Sequence, residues 1–265
     1  MTNHFIIGQY VPGHSLIHRL DPRAKLLIVF AYVFIVFLAN NAVTYAVLSL
    51  FTFAFAALSR IPLSFILRGL KPILWVVLFT LLLHVLMTKE GDVLYRIGAL
   101  SVYEGGIRQG IFISMRFLLL VLMTTMLTLT TTPIEVTDGV ESLLSPLKKW
   151  RVPVHELALM MAISLRFIPT LMEETEKIMK AQAARGVDFS GGRFSERMKA
   201  IVSLLVPLFI SSFKRADELA TAMEARGYRG GEGRTKLRQL AWKPADTVLL
   251  AATALLALLL FLLRS

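Results

Sequence analysis

Five long apolar runs restrict what this sequence can fold into, because segments so poor in charge are stable only within a bilayer or a large protein core. They cover residues 26–39, 42–58, 73–87, 107–129 and 247–263, and the third has an alternative start near residue 63. The first two runs are shorter than the ~20 residues that a membrane span prefers, so we interpret them as a tight hairpin around Asn40-Asn41. Only 18% of the residues are charged, against about a quarter in soluble domains. The sequence predicts an all-α membrane protein with about five transmembrane helices.

The charges of the loops predict the orientation in the membrane. Three basic residues precede the first run and three more lie between the second and third, whereas the 89–106 loop carries more acidic than basic residues. Basic loops are retained in the cytoplasm, so the N-terminus and the region from about 133 to 244 are predicted to be cytoplasmic and the 89–106 loop external. This bias and anionic lipid headgroups also account for the net charge of +11. Nucleic-acid binding is not expected.

A cytoplasmic domain of about three long amphipathic helices is predicted between residues 132 and 244. Thr132-Pro133-Ile134-Glu135 reads as a capping box with proline at the first helical position. A second helix runs from about 154 to 185, and Ser195 is predicted to cap a third. Both long helices are apolar first and amphipathic later, and Pro169 and Pro207 are expected to kink rather than end them. The domains are then 1–131 with about four spans, 132–244, and the C-terminal membrane helix 245–265.

The same tripeptide closes both long helices of this domain. Ala184-Arg185-Gly186 and Ala225-Arg226-Gly227 lie 41 positions apart. Glycine commonly ends a helix in a left-handed conformation, and a cation there complements the helix dipole. One copy alone would be an ordinary helix stop. Two copies on successive helices indicate a protein that presents the same arginine twice, either to two similar partner subunits or to the two halves of a dimer.

Methionine is concentrated in the two long helices. Met-rich faces repack readily against different partners, although methionine also fills ordinary helix–helix cores. Three of these residues are candidates for contact with a membrane partner: Met172, Met179 and Met223.

No pattern in the sequence indicates catalysis. There is no Walker A motif for ATP, no cysteine, and no histidine spacing that is typical of a metal site. The chain is therefore predicted to be no enzyme and to hold no cofactor or metal. His84, inside the third run, is interpreted as a packing residue, and Arg116, inside the fourth, fits a functional role and a structural ion pair equally well. The alternative function is a stand-alone secondary permease, whose midmembrane substrate site would have only these two residues to draw on.

Taken together, the motifs resemble the transmembrane T component of energy-coupling factor (ECF) transporters, the vitamin-uptake branch of ATP-binding-cassette (ABC) transporters. The resemblance covers nearly the whole chain. It is based on the eight residues from His18 to Lys25, on Thr131-Thr132-Pro133, on the six residues from Ser164 to Pro169, and on both Ala-Arg-Gly signatures.

This resemblance implies a function as well as a fold. Residues 132–244 become a coupling domain, and Arg185 and Arg226 each dock in a groove of one of two cytoplasmic ABC ATPase subunits, which bind the ATP and magnesium. Interchangeable membrane subunits capture the vitamin, and the chain transmits ATP-driven motion to them within the lipid bilayer of a bacterial cell membrane. The chain is most similar to the shared type, in which one T component serves many capture subunits.

Overall fold

The computed structural model describes residues 10–97, 100–150, 152–189, 191–230 and 240–264. Within these residues it contains the helices α1 Pro22–Ile35, α2 Ala42–Ser59, α3 Leu63–Met87, α4 Glu104–Thr130, α5 Pro133–Leu144, α6 Val154–Ala184, α7 Phe194–Ala225 and α8 Pro244–Leu262. Short 3-10 turns follow α1 and α5, at Val36–Leu38 and Ser145–Trp150. The predicted all-α class is confirmed, although α5 has only 12 residues and is shorter than expected.

Five of these helices are long and apolar enough to cross a membrane: α2, α3, α4, α6 and α8. The number agrees with the prediction, but the set differs. The first predicted span falls on α1, which has only 14 residues before its 3-10 turn. Conversely, the sequence predicts that α6 belongs to the cytoplasmic domain, whereas its apolar first half makes this helix long and apolar enough to span a membrane. Along α3, large side chains such as Trp75 and Phe79 are exposed, as expected for contact with lipid.

A β-hairpin lies in the segment that the sequence analysis treats as a loop. Strands β1 (Val93–Ile97) and β2 (Leu100–Tyr103) pair antiparallel, with Val93 opposite Tyr103 and Ile97 opposite Leu100. The sequence signal for this hairpin was two runs of β-branched and aromatic residues. Each run is too short to stand out beside the long apolar helices.

The chain divides into two compact units, Met1–Leu143 with Arg238–Ser265, and Leu144–Leu237. In the first unit α1 packs against α4 and α8, α2 packs against α4 and α8, and α3 packs against α4. Its core therefore forms around the short α1, and fully buried members of it include Ile28, Tyr32, Leu48, Leu119, Met123 and Met126. The second unit holds α6 and α7, which pack against each other.

Helix starts follow the predicted capping in two cases and depart from it in one. Asp21 caps α1, its side chain accepting from the Arg23 N–H, and Thr132 forms the expected capping box with Glu135. The prediction that Ser195 caps the third helix of the domain is wrong. Helix α7 begins one residue earlier, and the Glu196 carboxylate accepts the Arg193 N–H at 2.9 Å. The acidic side chain at the third helical position thus supplies the cap in place of the serine.

Candidate functional site: two arginine-ended helices

The end of α6 is a Schellman motif, in which a glycine with positive φ lets two backbone N–H groups turn back onto the last carbonyls. Gly186 has a φ of 88°. Its N–H donates to the Ala183 carbonyl and the Val187 N–H donates to the Gln182 carbonyl, both at 3.0 Å. Arg185 is thereby the last residue before the chain reverses.

The end of α7 repeats this geometry. Gly227 has a φ of 74°. Its N–H donates to the Glu224 carbonyl at 2.8 Å, and the Tyr228 N–H donates to the Met223 carbonyl at 3.0 Å. Arg185 and Arg226 share a φ of −86° and a ψ of 6°. The two signatures are therefore the same structural element, as the repeated tripeptide predicts.

The two glycines are required by the backbone conformation and not by crowding. A Cβ at Gly186 or Gly227 would meet no atom within 4 Å. An L side chain in the left-handed region costs ~1–2 kcal/mol, so glycine is the residue that ends both helices without strain.

All residues of both signatures are exposed. Among the residues that the structure describes, neither the Arg185 nor the Arg226 guanidinium has a hydrogen-bond or ion-pair partner. A guanidinium carries five N–H donors in a planar fork, which suits it to carboxylates and carbonyl groups on another protein. The arginines are thus free to bind a partner.

Helices α6 and α7 are antiparallel, because contacts farther along α6 lie earlier along α7. The Gln182 side-chain amide donates to the Ser203 carbonyl at 3.0 Å, whereas Glu174 contacts Arg215. Arg185 and Arg226, each at the C-terminal end of its helix, therefore lie at opposite ends of the pair. Two separate partner surfaces can be reached at once from such an arrangement.

The candidate methionines do not form one surface. Met172 and Met179 on α6 are 38% and 37% exposed. Met223 on α7 is half-buried and lines a cavity of about 500 Å³ between the two helices, together with apolar residues that include Ile163 and Phe167. The first two are accessible to a membrane partner, and the third faces the partner helix.

The polar residues that a permease would use are held within the helix bundle. The His84 ring lies 2.9 Å from the Thr80 carbonyl of its own helix, in line with a packing role. The Arg116 guanidinium donates to the Ala39 carbonyl at 3.2 Å and lies over the Phe37 ring. Among the described residues, Arg116 therefore contacts a carbonyl and an aromatic ring, and not the acidic side chain that a structural ion pair would require.

Possible metal ligands are likewise scattered: no group of three or more His, Asp or Glu residues comes together in the part of the chain that the structure describes.

A polar cluster that the sequence analysis did not identify as a unit lies at the start of α1; we define it as Asp21, Arg23, Lys25 and Asp246. The Arg23 guanidinium donates to both carboxylate oxygens of Asp21, at 3.0 and 2.9 Å, and also to the Ser142 hydroxyl. Burial alone would raise the pKa of the Asp21 carboxyl, but the hydrogen bonds and charge of Arg23 outweigh it and hold that pKa below its ordinary value. Through its contacts with Asp21 and Ser142, the Arg23 side chain joins the start of α1 to α5.

The other half of the cluster is fully buried. The Lys25 ammonium donates to the Thr130 carbonyl at 2.8 Å and to the Thr131 hydroxyl at 3.3 Å. The Asp246 carboxylate accepts the Asp21 N–H at 2.8 Å and the Lys243 N–H at 2.7 Å. The cluster therefore ties the start of α1 to the end of α4 and to the start of α8. An aspartate at the head of an otherwise apolar run was the sequence signal that could have indicated it.

The comparison with known proteins agrees with this combination of helices. Residues 13–237 match the family model CbiQ, described as "Cobalt transport protein". The chain is 66% identical to the "Energy-coupling factor transporter transmembrane protein EcfT" of Bacillus subtilis over 265 residues, all of both chains. The chain belongs to the CbiQ family, together with this EcfT protein. Proteins of the same name from Listeria innocua and Streptococcus thermophilus are 56% identical over all of both chains and 53% identical over 98% of each.

Family membership confirms the resemblance drawn from the motifs. The matched region contains both Ala-Arg-Gly signatures and the α1 part of the polar cluster. Together with the five apolar helices, it makes the chain a multi-pass membrane component of an energy-coupling factor transporter.

Proposed function

We propose that the chain is the subunit that couples two cytoplasmic ABC ATPases to a membrane subunit that captures the substrate. The observation that carries the proposal is the repeated Schellman end, with an exposed arginine at opposite ends of an antiparallel helix pair. If the arginines only ended their helices, there would be no reason for the same motif to occur twice or for the two arginines to lie at opposite ends of the pair.

Each arginine is suited to dock in a groove of one ATPase. Its neighbours are alanine and glycine, so no bulky side chain prevents the helix end from entering a cleft. Charge-assisted and bidentate hydrogen bonds to carboxylates give such contacts both strength and a defined orientation. ATP and magnesium belong to the ATPases in this scheme, and the chain itself forms and breaks no covalent bond.

The helix pair would convert one motion into another. ATP binding draws the two ATPases together, and because each holds one helix end, the angle between α6 and α7 changes. The apolar halves of these helices pass the change to the bound capture subunit, which then releases its vitamin into the cell. The chain acts as a transmitter and has no need of a substrate site of its own.

Co-purification tests the proposal directly. The tagged chain, extracted in mild detergent, is expected to retain two ATPases and a small membrane protein, which mass spectrometry would identify. A stand-alone permease would be purified alone and would transport its substrate in liposomes without ATP. That second result would contradict the coupling function.

We also propose the orientation that loop charge predicts, with the β-hairpin outside and the α6–α7 connection in the cytoplasm. The chain contains no cysteine, so single cysteines report position without background. In intact cells, an impermeant thiol reagent is expected to label Asp92→Cys but not Ser195→Cys, and both positions are exposed. Labelling of Ser195→Cys alone would invert the topology.

The exposed methionines of α6 are expected to contact the capture subunit. Met172→Glu or Met179→Glu places a charge on an apolar face, which should reduce retention of the capture subunit about tenfold while ATPase binding persists. Lys180→Glu is the matched control, since it adds negative charge at an exposed position of the same helix. Equal retention in all three variants would mean that the methionines serve the protein's own packing.

A further inference from the structure

One charged contact joins the two arginine-ended helices. The Glu174 carboxylate on α6 lies 2.8 Å from the Arg215 guanidinium on α7 and also accepts the Ser211 hydroxyl. The Glu174 and Arg215 side chains are 19% and 35% exposed, so the pair is partly shielded from water. It stands among the apolar residues of the neighbouring cavity wall, such as Phe167, Leu171 and Leu219.

A contact of this kind controls position more than stability. Apolar side chains attract one another without direction, so apolar contacts distinguish only weakly between registers that differ by one helical turn, ~5.4 Å. An ion pair with an added hydrogen bond is satisfied in one register only. Fixing a register is also the best-attested role of polar groups within helix interfaces.

The pair lies at equal distances from the two docking arginines. Glu174 precedes Arg185 by 11 residues, and Arg215 precedes Arg226 by 11 residues. At a rise of ~1.5 Å per residue, each arginine is ~16 Å from the pair along its own helix. A rotation about this point would move the two helix ends by equal amounts.

Packing differs on the two sides of the pair. Toward the C-terminal end of α6, the Gln182 amide donates to the Ser203 carbonyl, and a second cavity of about 440 Å³ lies beyond this bond, between the α6–α7 connection and the start of α7. Toward the N-terminal half of α6 the helices leave the cavity of about 500 Å³. The free volume on this side gives the helices room to change their angle without first breaking a packed core.

We propose that Glu174, Arg215 and Ser211 form a fixed crossing point about which α6 and α7 change their angle, so that motion of the ATPases produces rotation and not sliding. These three are positioning residues, because they bind neither ATP nor vitamin. The role in transport rests on the coupling function proposed above, whereas the fixed register is a property of this chain alone.

Cross-linking measures the register without any partner. Gln182→Cys with Ser203→Cys reports the observed register, and Gln182→Cys with Lys199→Cys reports a slip of one turn. Because Gln182→Cys removes the hydrogen bond to Ser203, the register then depends on the ion pair and on the apolar contacts between the two helices. Under oxidation on membranes, a direct disulfide needs Cα atoms within ~7 Å, so the first pair is expected to cross-link far more readily than the second. Adding Glu174→Ala should let both pairs cross-link, whereas Glu173→Ala, at an exposed position beside it, should change nothing.

Reversing both charges tests whether the attraction between Glu174 and Arg215, and not either residue alone, sets the register of the two helices. Glu174→Arg with Arg215→Glu is expected to restore the single register that Glu174→Ala loses. An unchanged cross-linking pattern in Glu174→Ala would overturn the proposal, and so would a reversed pair that fails to restore the register, because the attraction between the two charges would then not be what positions the helices.

Transport provides the functional measurement, in cells expressing the whole complex. Glu174→Ala is expected to retain both ATPases and their ATP hydrolysis while uptake falls about tenfold, and the reversed pair should recover most of it. Wild-type uptake by Glu174→Ala would contradict a coupling role for the crossing point. Failure of the wild-type chain to retain ATPases would instead contradict the proposed function and leave the cross-linking result valid on its own terms.

Discussion

Replacing both docking arginines, Arg185→Ala with Arg226→Ala, is expected to abolish retention of the ATPases and nearly all uptake. Loss of one partner from a buried charge pair typically costs ~2–5 kcal/mol, because the other charge is left without compensation. The two signatures are the same structural element at opposite ends of one helix pair, so each single change should remove one of two similar contacts. The double change then leaves no arginine of this kind to hold either ATPase.

The single and conservative variants give the intermediate steps. Arg185→Ala or Arg226→Ala alone should weaken the complex and depress uptake without abolishing them. Arginine to lysine should rescue only in part, since an ammonium group cannot form the planar, bidentate contact of a guanidinium. The graded series is measured by quantifying co-purified ATPases and vitamin uptake in the same cells.

A control distinguishes docking from a role at the helix ends alone. Arg197→Ala removes an exposed arginine from the first turn of α7 and should leave both measurements unchanged. If Arg185 and Arg226 were only solvated helix ends, each alanine change would cost ~0.3–1 kcal/mol of helix stability and no assembly. Wild-type uptake by the double variant would rule out the proposed coupling mechanism.

Local signals in the sequence predicted the elements that carry the candidate site. The glycines of both signatures adopt positive φ because the helix end requires it. The Ala-Arg-Gly tripeptide alone is enough to predict such a helix end. The capping box of Thr132 and Glu135 is equally local, and α6 and α7 continue through Pro169 and Pro207 as expected. In each case the interaction lies within one turn of the residue that signals it.

Features that depend on distant residues could not be predicted in this way. The hydrogen bond from the Asp21 N–H to Asp246 joins residues 225 positions apart, and periodicity within one helix contains no record of such a contact. The pairing of Glu174 with Arg215 is similar, because each belongs to a polar stretch that could equally have faced water. The predicted first span and the candidate spans of the structure differ at α1 and α6 for a related reason: where an apolar run is divided into a helix and a 3-10 turn, and how far an apolar helix continues into a polar stretch, depend on the residues packed against it.

The buried polar cluster leads to the second large prediction, a loss of stability in Asp246→Ala. Asp246 is fully buried, and its carboxylate is the acceptor for two backbone N–H groups, those of Asp21 and Lys243. Alanine removes the acceptor of both donors: the buried Asp21 N–H then costs ~1–3 kcal/mol, and the Lys243 N–H, at the exposed start of α8, loses a capping contact worth ~0.5–2 kcal/mol. The free energy of unfolding should therefore fall by about 1.5–5 kcal/mol.

Two further variants assign this loss to the carboxylate. Asp246→Asn keeps one acceptor oxygen but turns an amide donor toward the other N–H, so its melting temperature should lie between those of Asp246→Ala and the wild type. Asp217→Ala removes an exposed aspartate from α7 and should change the free energy of unfolding by no more than about 0.5 kcal/mol. Tryptophan fluorescence during heating in detergent reports all three, because Trp242 lies beside Arg23 of the same cluster. If Asp246→Ala melts together with Asp217→Ala, the start of α8 is held by its apolar contacts with α1, and the cluster makes no large contribution to stability.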